Sequence, residues 1–440
     1  MNSPLDRREF LQKGTAGTLT AVAAATAPAV TRAEDESTKP VRIGVVGVGS
    51  RGRWHITNML NYQDNVVIPA ICDYQTDRLA MAIDGVKKAK GYTPKGYSDG
   101  KYDYRNMLER DDLDGILVAT GIDFLGRISI DSMKAGKPVG HEVPGCYTIE
   151  ECWELVEEHE RTGVHCMLLE NCSYGDETLM VLNMIRQGVL GEPYFGVGSY
   201  VHDCRYSFFD GDGKITWRGE LWRDSYGCNY NSHALGSPAK WLGINDGDRF
   251  EYCLCMQSRP KAAHTHWSAK LGADSEAAKV DFKTGDFVTT LIHTVKGRQI
   301  RLDYSLTCSR PYSRYYLLQG MNGSFDSRTG MYLHGTSANH KWDPVANFKE
   351  KYQHDYWRKD GALAKKAGGH GGIDYFCIYD FIKMVRTGEP PWIDAYDAAS
   401  WSSILHFSKL SLDRKGGPVE IPDFTKGKWK DPNWRQGRMI

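Results

Sequence analysis

A mostly apolar run, Val41 to Val46, leads directly into Gly47-Val48-Gly49-Ser50-Arg51-Gly52, and no other feature of the sequence limits the fold so sharply. A buried strand, a GxGxxG turn and then Ile56, Met59 and Leu60 at helical spacing form the opening of a dinucleotide-binding unit. The glycines have separate tasks. Gly47 makes the tight turn, Gly49 lets the backbone approach a pyrophosphate, and Gly52 lets helix and strand pack closely. The helix start then offers free N–H groups to the phosphates. A second strand, Val66 to Cys72, ends at Asp73. An acid there accepts from a ribose hydroxyl and repels a 2′-phosphate, so NAD is expected rather than NADP.

The alternation continues with a strand at Gly115 to Ala119, a helix around Ile128 to Ala135, a strand at Pro138 to Val143 and another at His165 to Leu169. Thr148 and Glu151 read as a capping box opening the intervening helix. Strand and helix in turn imply a parallel, doubly wound sheet whose ligands sit at strand C-termini. Gly121 to Leu125, His141 to Val143 and Glu170-Asn171 then share the rim of one crevice. Beyond about Arg186 the pattern becomes one of alternating runs. Tyr194 to His202, Tyr252 to Met256, Phe287 to Val295, Gln299 to Leu306 and Tyr315 to Gln319 are spaced by turns such as Lys296-Gly297 and Asn322-Gly323. The period of two puts Tyr200 and His202 on one face. The expected class is α/β: an N-terminal Rossmann doubly wound parallel sheet over residues 38–170, then a C-terminal α+β domain over 171–440 with a large, mostly antiparallel open sheet. The tail, with Trp429, Pro432 and Trp434, reads as an irregular wrap over the surface.

Upstream, Arg7-Arg8 precedes an apolar, Ala/Thr-rich run from about Thr15 to Val30 that closes at Ala33 before Glu34-Asp35-Glu36. Residues 1–33 read as a twin-arginine signal, directing a folded protein to the periplasm or beyond. The run is too short and too rich in small residues for a stable membrane span. Lys+Arg and Asp+Glu both number 55. With no net charge, the chain has no global attraction to nucleic acid or anionic lipid. Its 11 cysteines show no zinc-ligand spacing; no metal is expected, and most read as buried thiols.

Together with a Met133-Lys134-Ala135-Gly136-Lys137 helix end, these features resemble the glucose-fructose oxidoreductase and inositol dehydrogenase (Gfo/Idh/MocA) superfamily. Its dehydrogenases carry a Glu-Lys-Pro motif and an Asp four residues before a His. Here Glu142-Val143-Pro144 lacks the lysine, and Asn229 replaces the acid before His233. A narrower resemblance accounts for both losses. Gly140-His141-Glu142-Val143, Leu169-Glu170-Asn171, Tyr200-Val201-His202-Asp203, Trp222-Arg223, Arg310-Pro311-Tyr312, Gly369-His370-Gly371-Gly372-Ile373-Asp374-Tyr375-Phe376 and Ile421 to Trp429 are similar, in order along the chain, to glycoside hydrolase family 109.

That resemblance implies an NAD-dependent α-N-acetylgalactosaminidase. Ser50, Arg51, Asp73, Ile122, Asp123, Phe124, Leu125, Glu142, Val143, Asn171 and Tyr230 would line NAD. Tyr200, Arg223, Tyr230, Asn231, Ser232, His233 and Tyr312 would hold the sugar of a glycan ending in N-acetylgalactosamine. The family has Tyr-Pro-Thr-His where this chain has Tyr230-Asn231-Ser232-His233, and an aromatic, acidic stretch ending in His where it has Ile122 to Leu125, so the sugar preference is the less constrained part. The implied route oxidises C3, eliminates across C2–C1, adds water and reduces C3 again, with net hydrolysis and retained configuration. His233 is the candidate base for the C3 hydroxyl, and Tyr230, which could share a helical face with it, for the C2 proton or the departing oxygen. Arg223 would fix a substrate oxygen or acetamido group; His202 and His370 are weaker candidates. A periplasmic NAD(P)-dependent sugar oxidoreductase and a non-catalytic sugar sensor are the competing readings, and a homo-oligomer is left open.

Overall fold

The computed structural model describes residues 39–435 and 438; the twin-arginine segment lies outside the described residues. The first layer is built by β1 (Val41–Val46), α1 (Ser50–Tyr62), β2 (Val66–Cys72), α2 (Thr76–Lys90), β3 (Lys95–Tyr97), α3 (Tyr104–Leu108), β4 (Gly115–Val118), α4 (Ile122–Lys134), β5 (Val139–His141), α5 (Ile149–Thr162) and β6 (Cys166–Leu168). The six strands pair in parallel in the order β3-β2-β1-β4-β5-β6. This is the doubly wound dinucleotide order, with its switch point at β1 and β4. Strands β4, β5 and β6 are buried throughout, as a parallel sheet covered on both faces requires.

The chain continues through α6 (Asp176–Arg186), β7 (Pro193–Val201), α7 (Trp217–Asp224), α8 (Ser232–Trp241), β8 (Phe250–Gln257), α9 (Ala262–Leu271), α10 (Glu276–Lys279), β9 (Val288–Thr294), β10 (Gln299–Ser305), β11 (Ser313–Gly320), β12 (Gly323–Asp326) and β13 (Gly330–Leu333). Then come α11 (Ala346–Tyr352), α12 (Asp355–Ala367), α13 (Ile373–Thr387), α14 (Ala395–Asp413) and β14 (Val419–Glu420). The second sheet has eight strands in the order β13-β12-β11-β7-β10-β9-β8-β14. It is antiparallel except where β10 meets β7. Late in the chain, α13 returns to the first sheet: a Cβ at Gly140 of β5 would meet Phe381 at 2.6 Å, and one at Gly115 of β4 would meet Val385 at 2.7 Å.

Some local expectations need correction. Helix α4 begins at Ile122 rather than around Ile128, so residues 122–125 are its first turn. Gly121 precedes it in an extended conformation and Asp123 lies in that turn, where a negative charge suits the helix dipole. At α5, Thr148 accepts from the Glu151 N–H at 3.2 Å, but the Glu151 carboxylate takes the N–H of Tyr147 instead of closing the box on Thr148. Nor does the tail only wrap the surface: Arg435 is buried and pairs with Asp394 and Asp397 at the start of α14.

Candidate active site

The glycine turn divides its labour as its spacing suggests. Gly47 has φ +84°, where a side chain would be strained, and a Cβ at Gly52 would fall 2.0 Å from the Gly47 carbonyl oxygen. A Cβ at Gly49 would meet only Arg78, at 3.9 Å, so this position opens onto free space. No side chain caps the start of α1. Asp73 turns one carboxylate oxygen to the Val48 N–H at 2.8 Å and the other to the Gln75 N–H at 2.9 Å, fixing the acid beside the turn. These features together fit a dinucleotide: an uncapped helix start, an uncrowded glycine and an oriented acid.

Next to the turn, Arg51 joins two carboxylates that are distant in sequence. Its Nε donates to Glu142 at 2.6 Å and its Nη1 to Asp374 of α13 at 2.7 Å. His55 adds a contact of 2.7 Å to Glu142. Asn171 donates to Asp374, and half-exposed His370 reaches the same carboxylate at 2.9 Å. Burial alone would push both acids up, yet the Arg51 charge with the His55 bond, and for Asp374 the His370 and Arg51 bonds, hold them well below the usual carboxylate range. Ser50 opens α1 exposed, and Val143, joined to Pro144 by a cis peptide bond, is buried with its N–H on Glu142. In α4, Ile122 and Leu125 point into the core while Asp123 is exposed and Phe124 packs on Tyr102. Any cofactor contact from Ile122 or Leu125 therefore comes from backbone.

Two glycines bring the other half of the site together. A Cβ at Gly198 of β7 would lie 1.6 Å from the Ala234 carbonyl oxygen, and one at Gly236 would lie 2.6 Å from a Glu170 carboxylate oxygen. Helix α8 can therefore press against both β7 and the end of β6, which sets His233 between Tyr200 and Glu170. The His233 Nδ1 is 2.7 Å from Glu170 Oε1. That carboxylate is fully buried and also accepts from the N–H groups of Cys172 and Ser173 and from the Ser173 hydroxyl. Burial would raise Glu170, but its bond to His233 and these donors keep it below its ordinary value.

Around His233 stand Tyr200 (ring centres 4.9 Å apart) and Tyr230 (5.4 Å), while Tyr312 and His202 pack together at 4.7 Å, each against Tyr200. Burial and the nearby Arg218 charge press His202 down to about 4, so its ring is neutral near pH 7. Tyr230 precedes α8 and shares no helical face with His233; the two rings meet through the chain's approach to the helix. Burial pushes the Tyr230 phenol up, which keeps it protonated. Cys172 lies 3.2 Å from His233 Nδ1, with the Arg314 guanidinium on its sulfur. Glu170, Cys172 and His233 bring ligand-type atoms within 4.8 Å of one another, with Glu170 bonded to His233 and the Arg314 guanidinium against the Cys172 sulfur.

Three expected sugar ligands are placed differently. Arg223 gives its guanidinium to Asp224 at 2.7 and 2.6 Å and makes none of the ring contacts described above. Arg218, five residues earlier on α7, lies 5.7 Å from the Tyr230 ring centre instead. Asn231 is fully buried and donates to the Trp401 carbonyl, and the Ser232 hydroxyl is buried without a hydrogen-bond partner. Both lie buried at the start of α8.

Comparison with known proteins fits this geometry. The family description "Glycosyl hydrolase 109, C-terminal domain" matches residues 174–431, and "Oxidoreductase family, NAD-binding Rossmann fold" matches residues 41–169. A Shewanella oneidensis protein named alpha-N-acetylgalactosaminidase is 36% identical over 447 residues, 97% of each chain. A glycosyl hydrolase family 109 protein of Solibacter usitatus is 39% identical over 394 residues, 89% of each chain. The chain belongs to glycoside hydrolase family 109. Its fold is shared more widely: levoglucosan dehydrogenase in complex with NADH aligns with TM-score 0.66 at 17% identity, over 88% of this chain and all of that one.

Several groups in this family 109 site escape a reading of the sequence. Glu170 shows as a rim acid in a short family motif but without its partner His233, and His55 as one polar position in a helix. Asp374 lies in the Gly369-to-Phe376 motif, whose glycines signal a special backbone but not its distant partner. Arg218 carries no spacing signal at all.

Proposed function

We propose that this chain releases terminal α-linked N-acetylgalactosamine from glycans, with NAD held on the glycine turn and restored within each turnover. The observation that carries the reading is the state of the site's acids. Two-carboxylate glycosidases need one acid kept protonated to assist the leaving oxygen. Here Glu142, Glu170 and Asp374 are all held low and occupied by Arg51, His233, His55 or His370. When bound, the nicotinamide supplies a hydride acceptor that later returns the hydride, leaving net hydrolysis. Proton movements then fall to the side chains beside it. With Nδ1 tied to Glu170, His233 presents Nε2 as the acceptor for the C3 hydroxyl proton. The protonated Tyr230 hydroxyl donates to the departing oxygen, and the phenolate left behind is then the acceptor for the C2 proton. Arg218, near Tyr230, is suited to a neutral acceptor such as an acetamido carbonyl. The activity named for the Shewanella oneidensis relative supports the choice of sugar, and the twin-arginine segment supports export of a folded protein with its cofactor aboard.

The test is an assay of purified protein, without added NAD, on α- and β-linked aryl N-acetylhexosaminides. Release of N-acetylgalactosamine from the α-galacto substrate with no accumulation of NADH is expected. Net NADH formation with no glycoside cleavage would establish a sugar oxidoreductase in its place.

A further inference from the structure

The wall of the aromatic pocket continues outward onto an exposed indole. Trp217, the first residue of α7, keeps 46% of its surface exposed. The Arg218 guanidinium lies 4.5 Å from the Trp217 ring centre and 5.7 Å from that of Tyr230. The indole is therefore no further from Tyr230 than those two distances together, about the span of two linked pyranoses.

Single exposed aromatic residues are ordinary, but the helix start that carries this one is fixed by a cap and by close packing. Thr216 caps α7 by accepting from the Gly219 N–H at 3.3 Å, and its hydroxyl donates to the Ser207 carbonyl at 2.6 Å. A Cβ at Gly219 would fall 2.3 Å from the Phe208 carbonyl oxygen, so the helix is pressed against the preceding loop. Phe208 and Trp222 are buried beneath it with ring centres 5.3 Å apart. Tyr206, the neighbour of Ser207, is 65% exposed on that loop. Two exposed rings thus neighbour one hydrogen bond in sequence, and the cation–π contact with Arg218 ties one of them to the Tyr230 side of the aromatic cluster.

We propose that Trp217, with exposed Tyr206 on the loop that Thr216 bonds to, forms an aglycone subsite that binds the pyranose linked to the departing N-acetylgalactosamine. The proposal rests on the glycosidase reading and deepens it: the preferred substrates are glycans with a sugar, rather than a simple alcohol, on the leaving side. A rigid aromatic face offers apolar contact to the C–H face of a neutral pyranose at little ordering cost.

The experiment compares kcat/KM for an α-N-acetylgalactosaminyl-galactose disaccharide with that for methyl α-N-acetylgalactosaminide. In the unaltered enzyme the ratio favours the disaccharide; Trp217→Ala should lower it about tenfold, and Trp217→Phe should restore most of it. A ratio unchanged in Trp217→Ala overturns the subsite. If neither glycoside is turned over, the glycosidase reading falls, and ligand-observed saturation-transfer NMR with the disaccharide decides the subsite separately. Saturation reaching the second pyranose, and lost in Trp217→Ala, supports it; saturation confined to the first pyranose overturns it.

Discussion

Gly49 and Gly52 sit in one turn and answer to different physics. Gly49 has an ordinary φ of −58° and free space where a Cβ would go. Gly49→Ala should therefore melt like the parent protein yet retain much less NAD, its methyl standing where the pyrophosphate approaches. Gly52→Ala should fail to fold well, with its Cβ driven onto the Gly47 carbonyl. Mass spectrometry of the denatured proteins and thermal melts separate the two effects; full NAD content in Gly49→Ala would contradict the cradle. At the opposite wall, the proposed mechanism makes Glu170, bonded to His233, a positioning residue. Glu170→Gln should lower kcat about 10²–10³-fold while KM and NAD content stay near those of the parent, and a parental kcat would remove Glu170 from the account. His233 and Tyr230 are legible in the sequence because they keep both ends of a family motif. Glu170 is not, because its partner is set by how closely Gly236 lets α8 approach. The Trp222-Arg223 motif points to Arg223, and only the structure shows that Asp224 takes its guanidinium while Arg218 lies near Tyr230.

At the scale of elements, parallel strands and their helices are legible because continuous apolar runs and 3.6-residue spacing survive any tertiary context. The start of α4 is not, since Gly-Ile-Asp-Phe suits a loop until Asp123 is seen as a first-turn acid. The depth of the tail is also hidden: Arg435 reads as a surface cation until Asp394 and Asp397 are found at one helix start. Helices α12 and α13 and the turn at Asn171–Tyr174 are joined by buried Asp380, which accepts from the hydroxyls of Tyr174 and Tyr356. Burial raises this acid to about 6 in spite of those donors. The folded form therefore holds its proton over a range where the unfolded chain, near 3.9, releases it. Stability from this group is full below about pH 4 and is lost as pH rises towards 6, by about 3 kcal/mol. Chemical denaturation of the parent and Asp380→Asn across this range should show the variant gaining relative stability as pH rises; a pH-independent difference would mean that Asp380 ionises normally.

For the whole molecule, two sheets of different construction present one site because the chain crosses between them more than once. The glycine turn comes from the beginning, His233 from the middle and Asp374 from a late helix that returns to the first sheet. Arg51 binds the first of these segments to the last, so cofactor wall and fold closure depend on the same ion pairs. The central claim is that this assembly hydrolyses a glycoside through proton exchange at C2 rather than by direct displacement between carboxylates. The most direct measurement is turnover in D₂O without added cofactor, followed by NMR of the released sugar. Deuterium at C2 of N-acetylgalactosamine is the predicted result. Sugar released at full rate with only protium at C2 would contradict it.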